Sequence, residues 1–306
     1  MNDDGGSWLD GGEGQRPRLS WSLSTEAPLA GLQLARETGE VLAADAVGGL
    51  YHINRLGKLA NLIRGPAPIR GLAWSDTGSG GVALVGDEKL YWFNRRLLFQ
   101  GWLEHSEKIL GLAVEAHGNY VAASLSSSIT VVYDSSRKLV RRFASTQPLI
   151  ALEFLVSRPA LVGVAEYGLL CCHAFTGEEE WQQPLWTGVG DLSLTGDGST
   201  ILLACFTHGI QCHAADGRQV GSYQVGGTVS RVSTGFYPGR IAAATIERHF
   251  YYIDADGQIV FQATLPDDVC RVLCDPFGSA VIVGLVSGRI IRLDWNRVGA
   301  GARKPL

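Results

Sequence analysis

The sequence predicts an all-β chain: a seven-bladed β-propeller built from four-stranded antiparallel blades of 40 residues, its ring closed by an N-terminal strand. Three observations predict it. A strand–turn–strand unit recurs every 40 residues, two apolar strand series recur at the same spacing, and a strand-like segment at the N-terminal end fits the register of the outer strands. A fixed period in this range marks a propeller or a solenoid.

Taken in order, residues 1–17 (MNDDGGSWLDGGEGQRP) are acidic, Gly-rich and of low complexity, and are expected to be a disordered tail. Its one apolar pair, Trp8–Leu9, reads either as a docking motif for another protein or as part of an inert leader. The propeller is expected to occupy residues 18–297, with a C-terminal tail at 298–306. Its first strands read LAGLQL (Leu29–Leu34), IRGLAW, ILGLAV, LIALEF, VGDLSL, VSRVST and VCRVLC (Val269–Cys274), each one period after the last. Second strands follow from Val41, Val82, Val121, Leu161, Ile201, Ile241 and Val281. They are apolar at consecutive positions, as strands covered on both faces must be. Gly, Asp and Asn between the two runs supply the turns.

The outer half of each unit is clearest at Tyr251–Gln262, YYIDADGQIVFQ, an apolar run, a turn and a second run. Its Ile253 becomes His213, His173, Tyr133, Phe93 and Ile53 in successive backward steps, and Leu293 in the forward one. The last unit lacks an outer strand, because NRVGAGARKPL follows Trp295. RLSWSL (Arg18–Leu23) is in the missing register, with Leu19 matching Leu139 and Trp21 matching Trp181 and Phe261. Closure by this strand removes the exposed edge that an open array leaves.

Unit three, EHSEKILGLAVEAHGNYVAASLSSSITVVYD, resembles a WD-repeat: a His near the start, a turn Gly, a small-residue strand and a closing aromatic–Asp. HAADGRQVGSY and IDADGQIVFQ in units five and six resemble the blades of quinoprotein-like propellers. No unit closes with Trp-Asp, and LDW at Leu293–Trp295 reverses that pair. The resemblance implies the propeller fold over Arg18–Arg297. The short loops and the lack of a catalytic motif point to a protein-interaction scaffold or a subunit of a larger complex. The alternative is a small-ligand binder or enzyme using the channel charges.

Charge and composition narrow the function classes. The net charge is −4, and residues 1–15 carry all of it in Asp3, Asp4, Asp10 and Glu13, with no base among them. The folded body is therefore balanced, which argues against a nucleic-acid binder. There is no apolar run long enough to cross a membrane. The N-terminus has neither the basic start nor the apolar segment of a secretion signal, so a cytoplasmic location and six reduced, mostly buried cysteines are expected. No G-x-S-x-G, HExxH or phosphate-binding Gly loop occurs, and the strict period leaves no insertion to carry a catalytic site. The expectation is a non-enzyme without cofactor or metal.

Four constellations are candidate sites. Asp191, Arg231 and Arg271 replace the Gly or Ala of earlier units on the innermost strands, with Arg70 one residue off that series. They read as a small-anion pocket in the channel, or as an Asp191–Arg231 salt bridge with Arg271 capping a carbonyl. Cys172–His173 and Cys212–His213 recur on adjacent units. A metal site there needs Cys171 and Cys205 as well, and the other reading is packed thiols and imidazoles. On the rim where innermost strands begin lie Arg64, Tyr167, Trp186 and Arg248. Trp186 reads as a binding anchor or as a cover over the junction of units four and five. On the opposite rim a basic arc, Arg55, Lys58, Arg95, Arg96, Arg137, Lys138, Arg141 and Arg142, reads as solvated hairpin tips. Its other readings are contact with an acidic protein segment, with anionic lipid headgroups, or with the chain's own tail.

Overall fold

The computed structural model describes residues 6–65 and 68–295. They form seven sheets that run from an innermost strand outward in chain order, except where N-terminal strands are added at the outer edges of blades six and seven. The innermost strands are Leu29–Ala35, Ile69–Trp74, Ile109–Val114, Leu149–Phe154, Val189–Leu194, Val229–Thr234 and Val269–Cys274. Blade seven takes its outer strand from Arg18–Ser24, which pairs antiparallel with Arg289–Asp294. Leu19 faces Leu293 and Trp21 faces Arg292, as the register predicts.

Each innermost strand shifts register at one residue after its start: Ala30, Arg70, Leu110, Ile150, Gly190, Ser230 and Cys270. A bulge adds an unpaired residue and re-aims the side chains beside it. The seven bulges therefore set where residues 31, 71 and their equivalents point.

The apolar cores lie between blades rather than inside them. One buried cluster fills each seam, such as Leu42, Leu50, Leu72, Trp74 and Phe93 between blades one and two. Second strands rich in alanine, for example Ala242–Ala244, are buried on both faces and let neighbouring sheets approach.

The N-terminal segment departs from the expected disorder. Ser7–Asp10 forms one helical turn, and Glu13–Gly14 pairs with Gln262 and Phe261 as a fifth strand on blade six. Leu9 is buried against the seam of blades six and seven, with Trp8 packed beside it. Trp295 donates its indole N–H to the Gln15 carbonyl at 2.8 Å. Composition misleads here because the glycines serve packing. A Cβ on Gly12 would meet the Phe261 ring at 2.5 Å, and one on Gly14, where φ is +94°, would meet the Val260 carbonyl at 2.3 Å. The tail thus docks on blade six of its own chain, not on the basic arc. Residues 1–5 and the C-terminal tail at 298–306 lie outside the described residues.

Candidate functional site

The channel is lined by innermost strands, whose inner edges carry backbone groups that no further strand pairs. In blades four to seven, polar side chains reach across to these groups on the next blade. Glu153 Oε2 accepts from Leu194 N at 3.0 Å, Ser193 Oγ from Thr234 N at 3.2 Å, and Ser233 Oγ from Cys274 N at 2.9 Å. Asp191 Oδ2 accepts from Val232 N at 3.3 Å, and Arg231 Nε donates to Cys270 O at 2.7 Å. Between blades one and four the matching positions are mostly glycine or alanine, and backbones approach directly: a Cβ on Gly111 would meet Ile150 O at 3.0 Å.

This geometry corrects the ion pair expected from sequence. Arg271, not Arg231, pairs with Asp191, with Nη1–Oδ1 at 2.7 Å across blade six. Arg231 instead caps the carbonyls of Cys270, Ser230 and Gly190. Burial lowers the Arg231 pKa, while the Asp191 carboxylate raises that of Arg271. The two guanidiniums therefore tie blades together, and the expected small-anion pocket has no uncommitted cation of this pair to offer.

A second channel constellation escaped the sequence reading. Arg36 of blade one meets Asp76 of blade two through Nε–Oδ1 at 2.6 Å and Nη2–Oδ2 at 2.8 Å. Glu153 of blade four lies 3.7 Å from the same guanidinium, which also sits 4.8 Å above the Phe236 ring of blade six. Burial pushes the Glu153 carboxyl up to about 7 against the pull of Arg36. Four blades thus converge on one cation at the end of a cavity of about 310 Å³. Arg36, Asp76 and Phe236 occupy one register position, so the period carried the signal.

The Cys–His pairs do not converge. Strand alternation sends Cys172 into the seam of blades four and five and Cys171 into that of three and four. His173 stacks on Phe143 at 4.3 Å, and His213 Nδ1 bonds the Gly217 carbonyl at 2.8 Å. Burial raises the thiols of Cys171 and Cys172 to about 12, far from the thiolate range of a nucleophile or ligand. Among the described residues no group of three His, Cys, Asp or Glu is placed to hold a metal.

On the rim where innermost strands begin, Trp186 is 91% exposed while its neighbours Leu185 and Thr187 are buried. Buried flanks fix the loop and project the indole outward, so Trp186 does not cover the blade junction. Exposed Tyr167 bridges to Gly188, and half-buried Phe206 lies against the same glycine. Six successive loops, at 126–128, 145–148, 166–169, 184–188, 206–208 and 224–228, hold a single Asp, Glu, Lys or Arg, which is Glu166. The rest of the rim is dense in charge, and Arg64 and Arg248 there are paired with Glu26 and Asp268.

The opposite rim divides the basic arc into two sets. Arg95 pairs with Glu40 of blade one at 2.9 Å, Arg137 donates to Gln100 O of blade two at 2.7 Å, and Arg141 donates to Phe175 O of blade four at 2.8 Å. These cations clasp neighbouring blades. Arg55, Lys58, Arg96, Lys138 and Arg142 are exposed and have no side-chain hydrogen bond or ion pair among the described residues.

These features define the chain as a seven-bladed β-propeller. In blade three Tyr133 Oη lies 3.3 Å from His105 Nε2. The β-propeller domain of Cps50 (Swd1) from Myceliophteria thermophila is similar in structure, with a TM-score of 0.79 at 16% identity over 92% of this chain and 100% of that one. Because 1846 solved chains match, the likeness carries the fold and no particular partner. No family model matches the sequence, and no curated protein matches it.

Proposed function

We propose that this propeller is a non-catalytic protein-interaction module that docks its partner on the rim of blades four and five. The observation that carries the reading is the charge-poor loop sector with Trp186 held outward at its centre. Depletion of charge with enrichment of aromatics marks the buried core of protein interfaces, whereas solvent-facing loops are normally charged. Buried neighbours hold the loop backbone in place, so little backbone ordering accompanies binding, and Trp and Tyr anchors dominate hot spots. No helix of the described residues is long and apolar enough to cross a membrane.

The test compares proteins retained from native extract by the wild-type chain, by Trp186→Ala with Tyr167→Ala, and by Tyr237→Ala. Tyr237 is an exposed aromatic of the opposite rim. The reading expects a discrete partner lost from the first variant and kept by the second. An unchanged set of partners in both variants rejects it.

A further inference from the structure

The tips of blades one to three combine two features. Their unpaired bases, Arg55, Lys58, Arg96 and Lys138, with Arg142 on the outer strand that follows, stand beside exposed large apolar side chains, Leu56, Leu59, Leu98, Phe99 and Leu139. The corresponding turns of blades four to six carry Thr176, Asp216 and Asp256 instead, Glu178–Glu180 follow on blade four, and the one base of these turns, Arg218, lies beside Asp216.

Local backbone chemistry makes these tips rigid. Asn54 Oδ1 accepts from Leu56 N and Lys58 N, Asn94 Oδ1 from Arg96 N and Leu98 N, and Asp134 Oδ1 from Ser136 N and Lys138 N. In blade two, Leu97 turns inward in the left-handed region, φ +59°, and is fully buried. Its inward turn faces Arg96 and Leu98 to solvent. The tips also form one continuous arc. Asn61 Nδ2 donates to Arg96 O at 2.8 Å, joining blades one and two, and the Arg137–Gln100 contact joins two and three. Two carboxylates at the arc are already engaged, Asp134 by its turn and Glu40 by Arg95.

Leucines set among lysines and arginines on protruding turns suit an interface with an apolar layer beneath an anionic one. The Trp186 sector, proposed above for a protein partner, has no such bases in its loops. We infer that this arc docks on an anionic lipid bilayer, the bases meeting headgroup charge and the leucines entering the headgroup–acyl boundary. This site is separate from the proposed protein-binding rim, and either can exist without the other.

The test is co-sedimentation of the full chain with phosphatidylcholine vesicles, with and without phosphatidylserine. Wild-type protein is expected to sediment with the serine-containing vesicles and to be released by salt. Arg96→Gln with Lys138→Gln and Arg142→Gln should lower the partition coefficient on the order of a hundredfold, from the attraction each base near the surface contributes. Leu56→Ser with Leu98→Ser should weaken binding at every salt concentration. Trp186→Ala should bind vesicles as wild type does. Thermal unfolding of each variant checks that these exposed substitutions leave the fold intact. Equal binding with and without phosphatidylserine, or undiminished binding of the triple variant, overturns the inference. Binding of the arc to a polyglutamate peptide with no vesicle binding also overturns it, and assigns the arc to an acidic protein segment.

Discussion

Replacing Glu153 by glutamine tests the channel through one charge. The carboxyl accepts Leu194 N–H and faces Arg36 at 3.7 Å, and its side chain is 26% exposed. Burial raises its pKa from 4.5 to about 7. A raised folded-state pKa means that the stability contribution is complete below about pH 4.5 and is lost as pH rises through about 7. The shift of about 2.5 units corresponds to at most about 3 kcal/mol. Relative to glutamine, which keeps the acceptor and the shape, the wild type should be less stable by about 1 kcal/mol near pH 5 and by about 3 kcal/mol near pH 8. Residual hydration of the channel reduces both figures. Urea unfolding of the two proteins across this range gives the difference directly, because all other titrations cancel. A difference independent of pH, or a wild type that gains on the variant as pH rises, would refute the account. Glu153 would then be held ionised by Arg36.

Other substitutions probe separate links in the argument. Asp191→Ala leaves the Arg271 guanidinium and Val232 N–H without their acceptor, and should cost about 2–3 kcal/mol in urea unfolding, with less lost in Asp191→Asn. Gly57→Ala forces a Cβ to within 2.3 Å of Trp21 at φ +79°, and should destabilise ring closure by about 1–3 kcal/mol in the same assay. Leu9→Ala should lower stability by about 2 kcal/mol, a loss that a disordered tail would not show. Trp186→Ala should change thermal stability by less than about 0.5 kcal/mol, while lowering affinity for the partner by about 2 kcal/mol or more in titration calorimetry.

The ring itself was legible because every blade has the same length. Leu29 and Val269 define one strand series, and Leu19 against Leu293 follows from counting alone. Contacts between blades were less legible, since they depend on where side chains point. The bulges at Gly190, Ser230 and Cys270 turn the side chains that follow them toward neighbouring blades, and this exchanged the partners expected for Asp191. Arg95, Arg137 and Arg141 look like Arg96 and Lys138 in sequence. The approach of adjacent tips decides which cations find a carboxylate or carbonyl. The N-terminal glycines read as disorder because their reason, contact with Phe261 and Val260, lies some 250 residues along the chain. In sequence Trp186 reads as a loop residue that either anchors a partner or covers a blade junction, and its buried flanks are not evident from QPLWTG.

The central claim is that the blade four and five rim, with Trp186 projecting from it, is where a protein partner docks. A photo-crosslinking amino acid placed at position 186, and separately at Tyr237 on the opposite rim, tests it most directly. Irradiation in native extract should yield a discrete protein adduct from position 186 that is reduced by Tyr167→Ala, and none from position 237. An adduct from position 237 alone, or from both positions with no dependence on Tyr167, would contradict the account.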